Sequence, residues 1–147
     1  MPRVKFIATL AFCVFLTPAF AQSLAEREAR TYEEKSLEAE IPGRTGDCKV
    51  TAKFDWSTFT DGAQGLTQKN KRPSQFCKFA LEAIGRVCGK GEDAKKSVQS
   101  NVKSLTCKEA SPSTVSLENG ELVYGIDLKD EANTGVDKVQ KFLMEKL

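Results

Sequence analysis

The sequence predicts a small two-layer α+β domain, in which an antiparallel sheet of about four strands carries helices on one face. Three stretches indicate this class. Residues 74–88 repeat apolar side chains at helical spacing, residues 48–56 alternate apolar and polar side chains, and residues 114–128 hold an Asn-Gly turn between two strand-like runs. The elements follow the order β-α-α-β-β-β-α, and four of the five cysteines predict two disulfides.

Residues 1–21 have the composition of a secretory signal peptide. Arg3 and Lys5 precede an apolar run over residues 6–16, and the small-x-small sequence of residues 19–21 is a typical cleavage site. The run is too short for a membrane helix, which needs about 20 apolar residues. We therefore expect a cleaved leader and a periplasmic or secreted protein, with no membrane span in its mature form.

Removal of this leader gives a mature chain, residues 22–147, whose charges cancel. The full chain has 22 Lys and Arg against 20 Asp and Glu, and losing the two basic residues of the leader leaves 20 of each sign. A neutral protein lacks the positive field that nucleic-acid binding requires. We therefore expect no nucleic-acid partner.

The cysteines outside the leader are predicted to form disulfides, because an even number is typical of small exported proteins. Cys77 and Cys88 share one face of the predicted helix but stand about 16 Å apart along its axis, too far to bond each other. Topology favours Cys48–Cys88 with Cys77–Cys107 over the alternative, Cys48–Cys77 with Cys88–Cys107. Since the chain has no histidine and no Cys-x-x-Cys pair, no metal site is expected.

Residues 22–46 are densely charged and carry few apolar side chains. This composition predicts a charged leader, flexible or helical, that is more typically solvated than docked. Residues 41–43, Ile-Pro-Gly, interrupt the pattern and mark the predicted boundary. The disulfide-linked domain then covers residues 47–147.

The domain is predicted to begin with a half-buried strand at residues 48–56, followed by a polar loop at residues 57–73. The central helix at residues 74–88 ends at glycines. Residues 92–104 form a shorter helix that leads into a strand around residues 105–107.

The last part of the chain is predicted as a hairpin and a terminal helix. Asn119-Gly120 is the dipeptide favoured in two-residue type I′ turns. The turn sets three cross-strand pairs, Leu117–Leu122, Val115–Tyr124 and Glu118–Glu121. The last of these is a like-charge pair on the wet face of the sheet. A final amphipathic helix starts at residue 133 or 134.

One candidate ligand site lies at the end of the polar loop. Lys69, Lys71 and Arg72 precede the predicted helix start at Ser74, where free backbone amides and the helix dipole favour an anion. The pattern indicates a phosphate or carboxylate site, and a solvated basic loop has the same composition.

The composition gives little basis for catalysis. Without histidine, neither a Ser-His-Asp triad nor a Cys-His pair can form, and bridged cysteines leave no reactive thiol. The candidates for acid–base chemistry are the carboxylates Asp55, Asp61, Glu118, Glu121 and Asp127. Of these, the predicted pairing brings together Glu118 and Glu121, which are exposed. No catalytic residue and no cofactor are assigned.

Three functions remain, in decreasing order of support. The first is an exported, non-catalytic binding or accessory protein that contacts another envelope or secreted protein, for example as an inhibitor. The second is an anionic-ligand binder that uses Lys69, Lys71, Arg72 and Ser74. The third is a minor hydrolase that depends on carboxylates.

Overall fold

The computed structural model describes residues 23–130 and 135–147. The predicted signal peptide lies outside these ranges, as does the predicted start of the final helix at residue 133 or 134. The described elements are, in chain order, α1 (Leu24–Thr45), β1 (Thr51–Phe54), α2 (Gly62–Gln68), α3 (Pro73–Cys88), α4 (Glu92–Asn101), β2 (Ser104–Glu109), β3 (Thr114–Glu118), β4 (Glu121–Ile126) and α5 (Val136–Lys146). None of these helices is both long and apolar enough to cross a membrane.

The four strands form one mixed sheet in the order β1-β2-β4-β3. β1 pairs with β2 in parallel, β2 pairs with β4 in parallel, and β3 and β4 form an antiparallel hairpin. The predicted antiparallel sheet is therefore wrong in two of its three pairings. Three helices connect β1 to β2, which is a crossover long enough for a parallel pair. β4 runs parallel to β2 because β3, at the edge, reverses the chain between them.

The hairpin forms in the predicted register. Leu117 faces Leu122 and Glu118 faces Glu121 across the two strands. Asn119 and Gly120 both have positive φ angles, 51° and 84°, as a type I′ turn requires.

The favoured disulfide pairing is confirmed. Cys48 bonds Cys88 with a Cα–Cα distance of 6.1 Å, and Cys77 bonds Cys107 with a distance of 6.0 Å. One bridge fixes the end of α3 to the segment before β1, and the other fixes its first turns to β2. The central helix is thus attached at both ends to the strand layer.

The core lies between the sheet and the helices on its inner face. Alternate strand residues such as Leu105 and Leu122 are fully buried there, together with Leu81 and Ile84 of α3 and Leu143 of α5. Each fully buried aliphatic side chain contributes about 1.5–3 kcal/mol. The amphipathic stripes predicted for the central and final helices are the surfaces that form this core.

The segment predicted as a charged leader is a 22-residue helix that packs along α3. It continues through Pro42, so the predicted boundary at residues 41–43 falls inside it. Leu37 is 1% exposed, and a Cβ at Gly85 of α3 would overlap the carbonyl oxygen of Arg44. Its composition resembles that of a solvated segment because charged side chains such as Glu33 and Arg44 bind partners that are distant in the sequence.

Residues 57–73, predicted as a polar loop, begin within a short 3-10 turn at Trp56–Thr58 and contain helix α2. Ala63 and Leu66 of α2 are buried and anchor it against the rest of the domain. The helix has seven residues and two glycines, too few apolar positions to give a helical period in the sequence.

Candidate functional site

The predicted anion site at the start of α3 is occupied by a carboxylate of the protein itself. Glu33 of α1 is 1% exposed and accepts a hydrogen bond from the backbone N–H of Ser74 at 2.8 Å. Its other oxygen lies 3.1 Å from Nε of Arg72. A carboxylate at a helix N-terminus satisfies an amide that has no partner within the helix and interacts favourably with the helix dipole. Glu33 thus takes the position that the sequence assigns to an external anion.

Arg72 is held by α1 in two further ways. Its Nη2 donates to the hydroxyl of Ser36 at 3.2 Å, and its guanidinium lies over the ring of Tyr32, 4.8 Å from the centroid. A small open groove of about 280 Å³ borders this cluster and is also lined by Lys78. Arg72 therefore joins α1 to the start of α3.

The two lysines of the predicted site have other contacts. Nζ of Lys69 pairs with Asp61 at 2.7 Å. The backbone N–H of Lys71 donates to the carbonyl of Leu66 at 2.8 Å, at the end of α2. Of the four predicted residues, the structure brings Arg72 and Ser74 together around Glu33 and places Lys69 in a separate ion pair.

A second glutamate of α1 makes the same kind of contact at the start of α2. Glu26 accepts hydrogen bonds from the backbone N–H groups of Ala63 at 3.0 Å and Gln64 at 2.8 Å, and it pairs with Arg30 at 2.6 Å. Burial opposes its charge, but the bonds from the Gln64 amide, the Arg30 side chain and the Ala63 amide outweigh burial and hold the pKa of Glu26 below its ordinary value. α1 thus caps two helices.

Sequence reasoning missed both glutamates. Glu26 and Glu33 are seven residues apart and Leu37 follows four residues later, so helical geometry places all three on one face. That spacing is the signal in the sequence. The capping role of these glutamates depends on backbone amides that lie 37 to 41 residues further along the chain.

The carboxylates considered for catalysis are dispersed. Asp55 and Asp127 each accept a hydrogen bond from a backbone amide two residues later, and Asp61 pairs with Lys69. Within the described residues, no group of three or more acidic or cysteine side chains could hold a metal ion. Asp55 and Asp127 thus stabilise turns, and Asp61 forms an ion pair.

The like-charge pair of the hairpin is balanced by side chains of β1 and β2. Glu121 accepts a hydrogen bond from the hydroxyl of Thr106 at 2.5 Å and lies 3.1 Å from Nζ of Lys53 on β1. These two contacts hold the pKa of Glu121 below its ordinary value. Glu118 therefore faces a carboxylate whose charge is already compensated within the exposed face of the sheet.

A larger open groove, of about 550 Å³, lies between α1 and β1. The helix contributes Glu34, Glu38 and Ile41, and the strand side contributes Val50 and Ala52. We call this feature the α1–β1 groove. It is the place where the sheet ends and the helix layer begins, so one of its walls is the edge of a strand.

The backbone of β1 leaves hydrogen-bonding groups at this edge. The N–H of Thr51 donates to the carbonyl oxygen of Lys103 at 3.2 Å, and the N–H of Asp55 donates to the carbonyl oxygen of Cys107 at 2.9 Å. Both bonds are made on the side that faces β2. Since alternate residues of a strand direct their backbone groups to the same neighbour, Ala52 and Phe54 direct theirs away from β2. β1 is the first strand of the sheet order, so these groups face its free edge.

Comparison of the chain with protein-family models, with curated protein sequences and with solved structures gave no match. The α1–β1 groove is therefore interpreted from its own chemistry.

The helix wall of the groove is acidic. Glu34 and Glu38 are exposed and stand one turn apart on α1. One oxygen of Glu34 accepts a hydrogen bond from Nε1 of Trp56 at 2.8 Å, whereas Glu38 has no ion-pair partner among the described residues. Lys53, the cation at the rim, is paired with Glu121. The groove thus combines two carboxylates, an apolar floor and a free strand edge.

Proposed function

We propose that the mature chain is an exported, non-catalytic binding protein that holds another envelope or secreted protein against the α1–β1 groove. The observation that carries this proposal is the free edge of β1 beside the helix wall. An open strand edge attracts other chains, and proteins normally pair or cover it. Here Ala52 directs its backbone groups to the edge while α1 leaves an open groove alongside.

The two disulfides support the exported part of the proposal, because disulfides persist mainly in oxidising compartments such as the periplasm and the cell exterior. They also make α3, against which α1 packs, a fixed support for the groove wall. A rigid binding surface loses less conformational entropy when a partner docks.

The two alternatives receive less support from the contacts. An anionic ligand at Ser74 and Arg72 would have to displace Glu33, which is buried and bonded to both residues. A carboxylate-dependent hydrolase needs two carboxyl groups held around one substrate, usually with one of them in an apolar pocket. The pair Glu118 and Glu121 lies on an exposed strand face instead.

The proposal is tested by site-specific photocrosslinking in the native envelope or secreted fraction. A photoreactive phenylalanine analogue replaces Thr51, which is exposed and lines the groove, or Lys90, which is exposed after α3. We expect one protein to be crosslinked from position 51, not from position 90, and to be lost when the disulfides are reduced. The same proteins at both positions, or none at position 51, would refute the proposal.

A further inference from the structure

We propose that the α1–β1 groove binds an extended, basic segment of its partner, which adds to β1 as a fifth strand of the sheet. This inference rests on the proposed binding function and specifies the chemistry of the partner. Three features carry it: the free backbone edge, the acidic helix wall and the apolar floor.

The free edge determines the conformation of the ligand. Ala52 and Phe54 direct their backbone N–H and C=O groups away from β2, at the spacing of every second residue. An extended chain laid beside β1 would satisfy these groups by the hydrogen bonds that build any sheet. A helical segment could not, because its backbone groups bond within the helix. β1 spans four residues, so the minimal ligand is a strand of similar length.

The helix wall determines the charge of the ligand. Side chains of an added strand alternate between the two faces of the sheet, so every second one would face α1. Those side chains would meet Glu34 and Glu38, which stand one turn apart. Lys53 at the rim does not cancel both carboxylates, since it is paired with Glu121. Lysine or arginine is therefore the complementary side chain.

The floor favours long side chains at the same positions. Ile41 of the helix and Val50 and Ala52 of the strand side give the groove its apolar lining. Lysine and arginine cover apolar surface with their methylene groups while the charged end reaches a carboxylate. An extended segment with lysine or arginine at alternate positions thus fits all three features.

The other edge of the sheet provides a comparison. β3 is the last strand in the order and has a free edge as well. It carries Glu118 and is separated from β1 by β2 and β4 in the sheet. The groove formed by helix and strand is a property of the β1 edge, which is why we assign the ligand to it.

The test uses an array of acetylated, amidated octapeptides in which every second position is lysine, arginine, glutamate or an apolar residue. The probe protein is the disulfide-bonded mature chain. We expect the peptides with lysine or arginine at alternate positions to be selected. For the best peptide, the amide resonances of Ala52 and Phe54 should shift on titration. Methylation of its backbone nitrogens at every second residue should weaken binding at least tenfold, because the edge then loses its hydrogen bonds.

Two protein variants separate the parts of the inference. Glu38→Lys reverses a charge in the groove and should weaken binding of the basic peptide at least tenfold. Glu28→Lys makes the same change at an exposed position of α1 outside the groove and should alter affinity less than twofold. Ala52→Pro removes the edge N–H without touching the ladder to β2 and should also abolish binding.

Several outcomes would overturn the inference. These are selection of acidic peptides, binding unaffected by methylation, or equal effects of Glu38→Lys and Glu28→Lys. A dimer of the protein alone that Glu38→Lys dissociates would show that a second copy occupies the groove. If no octapeptide binds while position 51 still crosslinks one partner, the extended-strand inference fails and the proposed binding function stands.

Discussion

Glu33 and Arg72 form an ion pair across 39 residues of sequence, with 3.1 Å between Oε1 and Nε. The other oxygen of Glu33 caps the first free amide of α3. The pair therefore fixes α1 to the central helix at the point where the sequence predicts an external anion. A charged segment that looks like a solvated leader becomes part of the domain through this contact.

Glu33→Ala should destabilise the protein by about 2–3 kcal/mol, because the amide of Ser74 loses a charged acceptor and the partly buried Arg72 loses its carboxylate partner. The urea midpoint measured at neutral pH checks this value. Glu28→Ala, at an exposed position of the same helix, should change stability by less than about 0.5 kcal/mol. Equal effects of the two substitutions would show that the capping contact contributes little.

The contribution of Glu26 to the stability of the folded protein should depend on pH. Its pKa in the folded protein lies below the ordinary value of 4.5, so the stabilisation is complete above that value and is lost as the pH falls through the folded pKa. Glu26→Gln should therefore be less stable than the wild type at pH 7, and the difference should shrink in acid. Unfolding free energies measured from pH 7 to about pH 2 test this. A difference that stays constant with pH would argue against a charged cap.

Two glycines give opposite predictions for the same substitution. A Cβ at Gly85 would overlap the carbonyl oxygen of Arg44, so Gly85→Ala should force α1 away from α3 and destabilise the protein by about 1–3 kcal/mol. Gly43 lies within α1 and has open space at the Cβ position. Gly43→Ala should stabilise the protein by up to about 1 kcal/mol, because alanine favours the helix. Thermal unfolding of both variants compares them directly, and stabilisation by Gly85→Ala would contradict the close packing.

Each disulfide should contribute to stability through the loop that it closes. The bridges join residues 40 and 30 positions apart, for which the loop-entropy relation gives about 3–4 kcal/mol each. The variants Cys48→Ala/Cys88→Ala and Cys77→Ala/Cys107→Ala should each lose that amount in urea unfolding. A non-reducing peptide map of the wild type should contain the two links. A Cys77–Cys88 link would be incompatible with a continuous α3.

The parts of the fold that were predictable are those set by neighbours in sequence. The period of α3, the alternation before and within β1 and the Asn119-Gly120 turn each specify local geometry. These signals do not depend on the rest of the chain. The length of α3 excluded a Cys77–Cys88 bond, since a straight helix keeps these two cysteines apart. The choice between the two remaining pairings rested on the expected topology, and the favoured pairing is the one observed.

The strand directions were not predictable in the same way. The two disulfides show that α3 runs opposite to β1, as the sequence predicts. The difference arises after α3, because Lys95 and Gln99 of α4 contact Asp47 just before β1, so the chain enters β2 from the end of the sheet where β1 begins. The parallel pairing of β1 with β2 then follows from the long crossover.

The sequence by itself determined the helix α3, the hairpin and its register and the α+β class, because each depends on local periodicity, and the length of α3 excluded a bond between its own two cysteines. The tertiary structure alone decided that α1 belongs to the domain, that Glu26 and Glu33 cap other helices, and that α1 and β1 enclose a groove. These features depend on groups that lie far apart in the chain. The sequence shows that a side chain is charged, but it does not show whether that side chain binds water or a distant backbone amide.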